Sequence, residues 1–246
     1  MGESAQSSLF ESPPPAIELG LIERWASARA LTPAIGVDEA GRGPLAGPVV
    51  AAAVSFPPGA LPGALRTLND SKKLSERQRE ALWAPIREYA LAFSIAEVSA
   101  PRIDELNILQ ATWEAMRAAT RAVTEQLGEQ GLAPRCLFVD GKFPLPAYEG
   151  HQHALIKGDQ RSLQIAAASV LAKVSRDRIL LSWEEKYPGY GFASHKGYGT
   201  KAHLAALRAL GPTPEHRRSF RPVREAIAEQ GGEDHARDPT RGGLPK

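Results

Sequence analysis

The 246-residue sequence has one cysteine, so no disulfide can form within the chain. Cys136 lies in the apolar run Cys136-Leu-Phe-Val139, where it reads as packed core and implies no redox chemistry. No uninterrupted apolar stretch is long enough to cross a bilayer, and the N-terminus lacks a basic-then-apolar leader, which predicts a soluble, cytoplasmic protein with no membrane partner. Histidines are few and scattered, none at zinc-motif spacing, so His151, His153, His195, His203 and His216 are expected to face solvent or phosphate. There is no Ser-His-Asp arrangement around an elbow motif. Gly41-Arg-Gly-Pro-Leu-Ala-Gly47 lacks the Lys-Ser/Thr ending of a nucleotide phosphate loop. Formal charge is only +2, so global basicity does not announce a nucleic-acid partner.

What is present is a long enough apolar complement, 43% of residues, for one well-buried domain. That domain is expected over residues 16–224, between a Ser- and Pro-rich tail at 1–15 and a polar tail at 225–246, both expected to be disordered. Periodicity and turn residues predict a helix near Ile17 to Arg29 and strands at Ala34 to Val37 and Pro48 to Ser55. Ser75-Glu-Arg-Gln78 has capping-box spacing and starts a helix towards Tyr89. A strand follows at Leu91 to Val98. One long helix is then expected from Pro101 to Gly128, with Leu106, Leu109, Trp113, Met116, Val123 and Leu127 as its core stripe. Further strands are expected at Arg135 to Val139 and His153 to Ile156. A small-sided helix starts near Ser162, and a last helix, capped by Thr200, runs from Lys201 to Leu210.

The acids carry the chemistry. Asp38 and Glu39 end an apolar run, Asp140-Gly141 ends another, and Lys157-Gly158-Asp159 ends a third. Neighbouring residues of a strand point to opposite faces, so Asp38 and Glu39 can share a site only if the strand ends or bends, which Ala40-Gly41 supplies. Ligand sites in α/β sheets gather at strand ends, and that recurrence argues for one shared site. The bland alternatives are an acidic turn at 38–42 and, for Asp159, a cap on the helix near Ser162. Asp177 is a possible extra acid, though Lys173, Arg176 and Asp177 read better as helix-surface or ion-pair groups. Four carboxylates without a matching His or Cys set are hard oxygen ligands suited to Mg²⁺ or Mn²⁺, and their mutual repulsion is a reason to expect one or two divalent ions. Two such ions suit phosphodiester hydrolysis.

Around them, Gly41, Arg42 and Gly43 can approach an anion closely, and Lys72 and Lys73 precede a helix N-terminus. From Gly191 to Pro222, Lys196, Lys201, Arg208, Arg217, Arg218 and Arg221 oppose one acid, Glu215, with Phe192, Tyr198 and Phe220 interleaved, the composition of a surface that tracks a nucleic-acid backbone.

The runs 36–48, 69–75, 106–112, 139–141, 157–159, 166–177, 197–200 and 211–220, in order between about Ile35 and Val223, resemble bacterial ribonuclease HII. The Gly-Arg-Gly form resembles this family more than the related ribonuclease HIII. The resemblance implies a ribonuclease H-like α/β fold with a mixed five-stranded sheet flanked by helices. It implies Mg²⁺- or Mn²⁺-dependent hydrolysis of RNA in RNA–DNA hybrids and incision 5′ of single ribonucleotides in duplex DNA, leaving 3′-hydroxyl and 5′-phosphate ends, with a role in ribonucleotide removal. By position, Asp38, Glu39, Asp140 and Asp159 match the catalytic, metal-binding acids. Gly41, Arg42 and Gly43 match the loop that senses the ribose 2′-hydroxyl, and Tyr198 matches the tyrosine near the junction sugar. Lys72, Lys73, Lys196 and Arg42 are candidates for phosphate contacts. The partner expected is an RNA–DNA hybrid or ribonucleotide-containing duplex, met by a monomer; the competing reading is a protein that binds hybrids without cutting them.

Overall fold

Three apolar runs, around residues 36, 52 and 138, lie side by side as neighbouring strands in the computed structural model, which describes residues 12–236. In chain order the elements are α1 (Leu21–Ser27), β1 (Ala34–Ala40), β2 (Val49–Ser55), α2 (Glu76–Tyr89), β3 (Ala92–Val98), α3 (Ala100–Leu106) and α4 (Ile108–Glu129). They continue as β4 (Cys136–Asp140), β5 (Gln152–Leu155), α5 (Leu163–Lys186), α6 (Phe192–His195), α7 (Lys201–Leu210) and α8 (Arg221–Ala236). The strands form a five-stranded sheet in the order β3-β2-β1-β4-β5. β1 is antiparallel to β2 and parallel to β4, β2 is antiparallel to β3, and β4 is parallel to β5, giving the mixed sheet expected.

Side chains alternate across each strand, and each face of the sheet receives its own helices. Ile35, Val37, Ala51 and Ala53 pack against Ala111, Ala115, Met116, Ala119, Val123 and Leu127 of α4. Val50, Ala52 and Val54 pack against Leu82 and Ile86 of α2 and against Ala166 to Leu171 of α5. Burying a side chain such as Ile35, Leu127 or Leu171, each fully inaccessible, contributes about 1.5–3 kcal/mol. α5 lies unusually close to β1, because a Cβ on Gly36 would sit 2.5 Å from the backbone nitrogen of Ile165. Only glycine on the strand allows that approach of the Gln164-Ile165 backbone.

Local signals hold where they rest on capping. Ser75 Oγ accepts from the Gln78 N–H at 3.3 Å while Gln78 Oε1 accepts from the Ser75 N–H at 2.8 Å, completing the capping box of α2. Thr200 caps α7 by accepting from the His203 N–H at 3.2 Å. The single helix expected from Pro101 to Gly128 is instead two, α3 and α4. Asn107, at φ 74°, breaks it, and its side chain accepts from the N–H groups of Leu109 and Gln110, which makes it both the stop of one helix and the cap of the next. Leu109 consequently turns out to solvent and is not core.

The stretch expected as a C-terminal tail from residue 225 is helical as far as it is described, because α8 runs to Ala236. Val223, Ala226 and Ile227 recur at helical spacing and pack on Leu45 and Leu207, an apolar stripe that the polar composition obscures. At the other end, residues 1–11 of the expected tail and residues 237–246 lie outside the described residues. Pro14, within the described part, is tied to the body by its carbonyl, which accepts from Arg161 Nη2.

Candidate functional site

β1 does not end before its acids. It runs through Asp38 and Glu39 to Ala40, paired with Ala52, Ala51 and Val50 of β2, and turns only at Gly41, at φ 95°. One step beyond the Val37↔Val139 pair of β1 and β4 come Asp38 and Asp140, so two carboxylates leave neighbouring parallel strands side by side. β4 in turn pairs Asp140 with Leu155, two residues before Lys157. Lys157, at φ 55°, turns the chain so that the Gly158 N–H donates to Asp140 Oδ1 at 2.7 Å. A Cβ on Gly158 would sit 3.0 Å from that oxygen and 2.7 Å from Ile165 Cδ1, which accounts for glycine here. Asp159 follows in a 3₁₀ turn, almost fully buried, and is not the cap of α5; Ser162 takes that role by accepting from the Ile165 N–H.

The four acids share one environment. Burial raises the Asp38 carboxyl well above its ordinary value, and the charges of Asp140 and Glu39 raise it further against hydrogen bonds from Ser169 and the Glu39 N–H. Glu39 is also raised, by burial and by Asp140, with Arg42 and Lys72 opposing. Burial raises Asp140 despite its bond from Gly158. Asp159 is pushed up to about 6 by burial, by Asp140 and by Asp70. Burial alone would draw Lys72 down, but Asp159, Asp38, Asp70 and Asp140 together raise it. Carboxylates held this far from easy ionisation, with only oxygen donors among them, fit a hard divalent cation, whose charge removes the repulsion that a lone lysine only moderates.

Asp70 is a fifth acid that the sequence did not single out. It accepts from the Lys72 N–H at 2.9 Å and from Gln160 Nε2 at 3.3 Å, and it faces Asp159. Ser71 Oγ and Ser169 Oγ lie 2.7 Å apart, linking the Asn69 to Lys73 loop to α5 beside Asp38. The only sequence signal for these residues was the unbroken polar run Asn69-Asp-Ser-Lys-Lys73.

Two arginines build the glycine loop. Arg217, fully buried, donates from Nε to the Gly47 carbonyl at 2.9 Å and from Nη1 to the carbonyls of Arg42 at 2.9 Å and Pro44 at 2.8 Å; its Nη2 donates to the Gly41 carbonyl. Arg176, also buried, donates to the carbonyls of Pro48 at 3.1 Å, Lys196 at 2.9 Å and Ala46 at 3.0 Å. Burial lowers them to about 9 and about 10, still protonated at neutral pH. A Cβ on Gly41 would lie 2.1 Å from Arg176 Nε, so that glycine serves both a left-handed turn and the guanidinium stacked on it. Leu45 N–H donates to the Gly197 carbonyl at 2.8 Å, which brings Tyr198 over the loop, its Cε1 3.7 Å from where a Gly43 Cβ would be. Arg42 and Gly43 are exposed, and Arg42 Nη1 pairs with Glu39 at 3.4 Å.

Other expectations are corrected. Arg176 is no surface group, and Arg217 belongs to no basic surface, since each spends its donors inside the fold. Arg208 pairs with Glu229 and Arg221 with Glu225, and Phe192 is buried, so the 191–222 stretch is not one continuous basic face. Lys196 Nζ donates to the Ala193 carbonyl at 2.7 Å and lies 3.6 Å from Glu76. Lys72 and Lys73 are both exposed on this loop, and it is the Lys72 ammonium that the charges of the acids reach. Asp177 is bound to Lys173 at 2.6 Å and lies near Arg79, an ion pair rather than a fifth ligand. His203 and His216 are buried, not solvent-facing: His203 Nδ1 lies 2.9 Å from the Tyr198 carbonyl, the two Nε2 atoms are 3.0 Å apart, and His216 Nδ1 accepts from the Thr213 N–H at 3.0 Å. Those partners assign both rings as neutral, the shared proton on His216 Nε2.

A family model described as Ribonuclease HII matches residues 35–223. Ribonuclease HII of Geobacter sulfurreducens is 49% identical over 208 residues, 84% of this chain and 90% of that protein. Ribonuclease HII of Geobacillus thermodenitrificans is 51% identical over 214 residues, 87% of this chain and 78% of that one. Among solved structures, the ribonuclease H2 from Pyrococcus horikoshii superposes with a TM-score of 0.66 at 26% identity, covering 80% of this chain and 97% of the other.

Proposed function

The chain belongs to the ribonuclease HII family, and from that premise we propose that Asp38, Glu39, Asp140 and Asp159 are the groups with which it cuts. It is a divalent-metal-dependent ribonuclease H, hydrolysing the RNA strand of RNA–DNA hybrids. The finer reading is a pair of Mg²⁺ or Mn²⁺ ions and incision 5′ of a single ribonucleotide in duplex DNA, leaving a 3′-hydroxyl and a 5′-phosphate, in a cytoplasmic repair role. What carries it is the convergence of the four acids at one end of β1, β4 and β5, with Lys72 against them and the glycine loop alongside.

Ions held by the four carboxylates would supply Lewis-acid charge to the attacking water and to the departing 3′-oxygen. Asp140, fixed by the Gly158 N–H, and Asp38, fixed by Ser169 and the Glu39 N–H, are the pre-oriented members, because each already accepts a bond that sets its rotamer. Asp70 orients Lys72 through its backbone N–H, and the Lys72 ammonium lies where it can meet a phosphate oxygen. Arg176 and Arg217 hold the loop carbonyls while the N–H groups of Leu45 and Gly47 are bound within the fold, so the exposed Arg42-Gly43 turn is the stretch whose backbone would meet the ribose 2′-hydroxyl, and Tyr198 supplies an exposed ring beside it.

The test is an end-labelled duplex with one ribonucleotide, incubated with Mg²⁺, Mn²⁺ or chelator, beside an all-DNA control. Metal-dependent cutting only 5′ of the ribose, lost in Asp140→Asn with folding intact, is the expected result; full activity in that variant would overturn the site.

A further inference from the structure

At the opposite end of β4 from Asp140 lies a second cluster of metal-ligating groups that ribonuclease chemistry does not use. Residues of β5 alternate in face, so His151 and His153 project together, and the Leu137↔Gln152 and Phe138↔His153 pairs place them beside Cys136. The Leu137 N–H donates to the His151 carbonyl at 2.9 Å, extending the ladder past the strand. One ligand atom from each of Cys136, His151 and His153 lies within 4.8 Å of the others. The two imidazole Nε2 atoms are 3.1 Å apart. Two nitrogens on a tetrahedral zinc stand about 3.3 Å from one another, given Zn–N bonds of 2.0–2.1 Å. The ring of His153 is held by Trp25, edge-on at 5.3 Å between centroids, and by Phe138, stacked at 6.3 Å.

We propose that Cys136, His151 and His153 form a zinc site, three protein ligands with a fourth position open on the partly exposed histidine side. The softness of the set separates it from the acids, because a thiolate with two imidazoles selects Zn²⁺ where carboxylates select Mg²⁺ or Mn²⁺. So does distance: the four residue steps of β4 put Cys136 about 13 Å from Asp140 at 3.3 Å per residue. Binding releases the Cys136 thiol proton to solvent and leaves both rings neutral, with their protons on Nδ1. Burial pushes the metal-free thiol up to about 12, which keeps it inert until a cation arrives, and holds His153 below its ordinary value, in the neutral form a ligand needs. A bound ion would cross-link the edge strand β5 to β4.

The experiment uses the full chain, stripped by chelator and then titrated with Co²⁺ under saturating Mg²⁺. The expected result is a thiolate-to-cobalt charge-transfer band that saturates at one equivalent, is erased by Zn²⁺, persists in Asp140→Asn, and vanishes in Cys136→Ser. His151→Gln, at a partly exposed ring, keeps the test decisive if Cys136→Ser fails to fold, and should weaken Co²⁺ binding at least about tenfold. Zinc should raise the melting temperature of the parent and not of Cys136→Ser. Absence of a thiolate band in the parent, or Co²⁺ binding that disappears only in Asp140→Asn, would overturn the site and leave a histidine pair packed on a core cysteine.

Discussion

Asp38→Asn should make the metal-free protein more stable and the enzyme inactive. The Asp38 carboxyl is buried beside Asp140 and Glu39, and its raised folded-state value means that the fold holds its proton more tightly than the unfolded chain does. Its adverse effect is therefore absent below about pH 4 and grows as pH rises. At pH 7 it cannot exceed the span between the unfolded value near 3.9 and the solution pH, about 3 units or about 4 kcal/mol, because beyond that the group stays protonated. Asparagine can still accept from the Glu39 N–H, as Asp38 Oδ1 does at 2.7 Å, but it answers Ser169 less well. The net gain expected in chelator is about 1–3 kcal/mol at pH 7, shrinking towards zero near pH 4. Added Mn²⁺ should stabilise the parent in proportion to the logarithm of its concentration and the variant far less. Urea denaturation at pH 4 to 8, with chelator or Mn²⁺, measures both. A variant less stable than the parent in chelator throughout, or equally stabilised by Mn²⁺, would refute the account of a repelling cluster that a cation relieves.

Arg217→Lys should lower stability by about 2–4 kcal/mol, because an ammonium cannot reach the four carbonyls that the guanidinium fork serves; urea denaturation reads the loss, and an unchanged midpoint refutes it. Tyr198→Ala should reduce cleavage at an embedded ribonucleotide more than binding to a long hybrid, measured by paired cleavage and binding assays; equal losses would reject its position at the sugar. Burial holds His203 at about 4 and His216 at about 3 while the unfolded chain titrates near 6.5, so the unfolded state takes up protons first as pH falls. The two rings should together subtract a few kcal/mol between about pH 6.5 and 4, opposing the gain from protonating the raised acids, so in thermal denaturation a His216→Asn variant, though weaker at neutral pH, should fare better than the parent on acidification; identical pH slopes would refute the assignment.

The convergence of the acids was legible because the same event recurs: an apolar run closes on a carboxylate with a glycine within three residues, and neighbouring parallel strands bring two such ends together, the turn after β5 adding the third. Their supports were not. Arg176 sits in a helical run where a charged residue normally marks the surface, and Arg217 adjoins Arg218 in a stretch that reads as solvated, yet both are fully enclosed. Their partners are backbone carbonyls, which every residue carries and no sequence pattern marks. Asn107 escaped notice because one polar residue hardly disturbs a 3.6-residue period, whereas its positive φ ends the helix outright. α8 was hidden by the opposite effect, polar composition masking a narrow apolar stripe.

The two enclosed arginines also set the order in which a competent enzyme can appear. The loop of residues 41–48 is among the first parts of the domain to leave the ribosome, but its carbonyls wait for Arg176 and then for Arg217, the latter 170 positions beyond Gly47. Until that residue emerges and is enclosed, four carbonyls of the loop lack the donor that serves them in the finished fold. The finished shape of this loop is thus among the last things the polypeptide acquires, arriving nearly together with the closing segment of the fold.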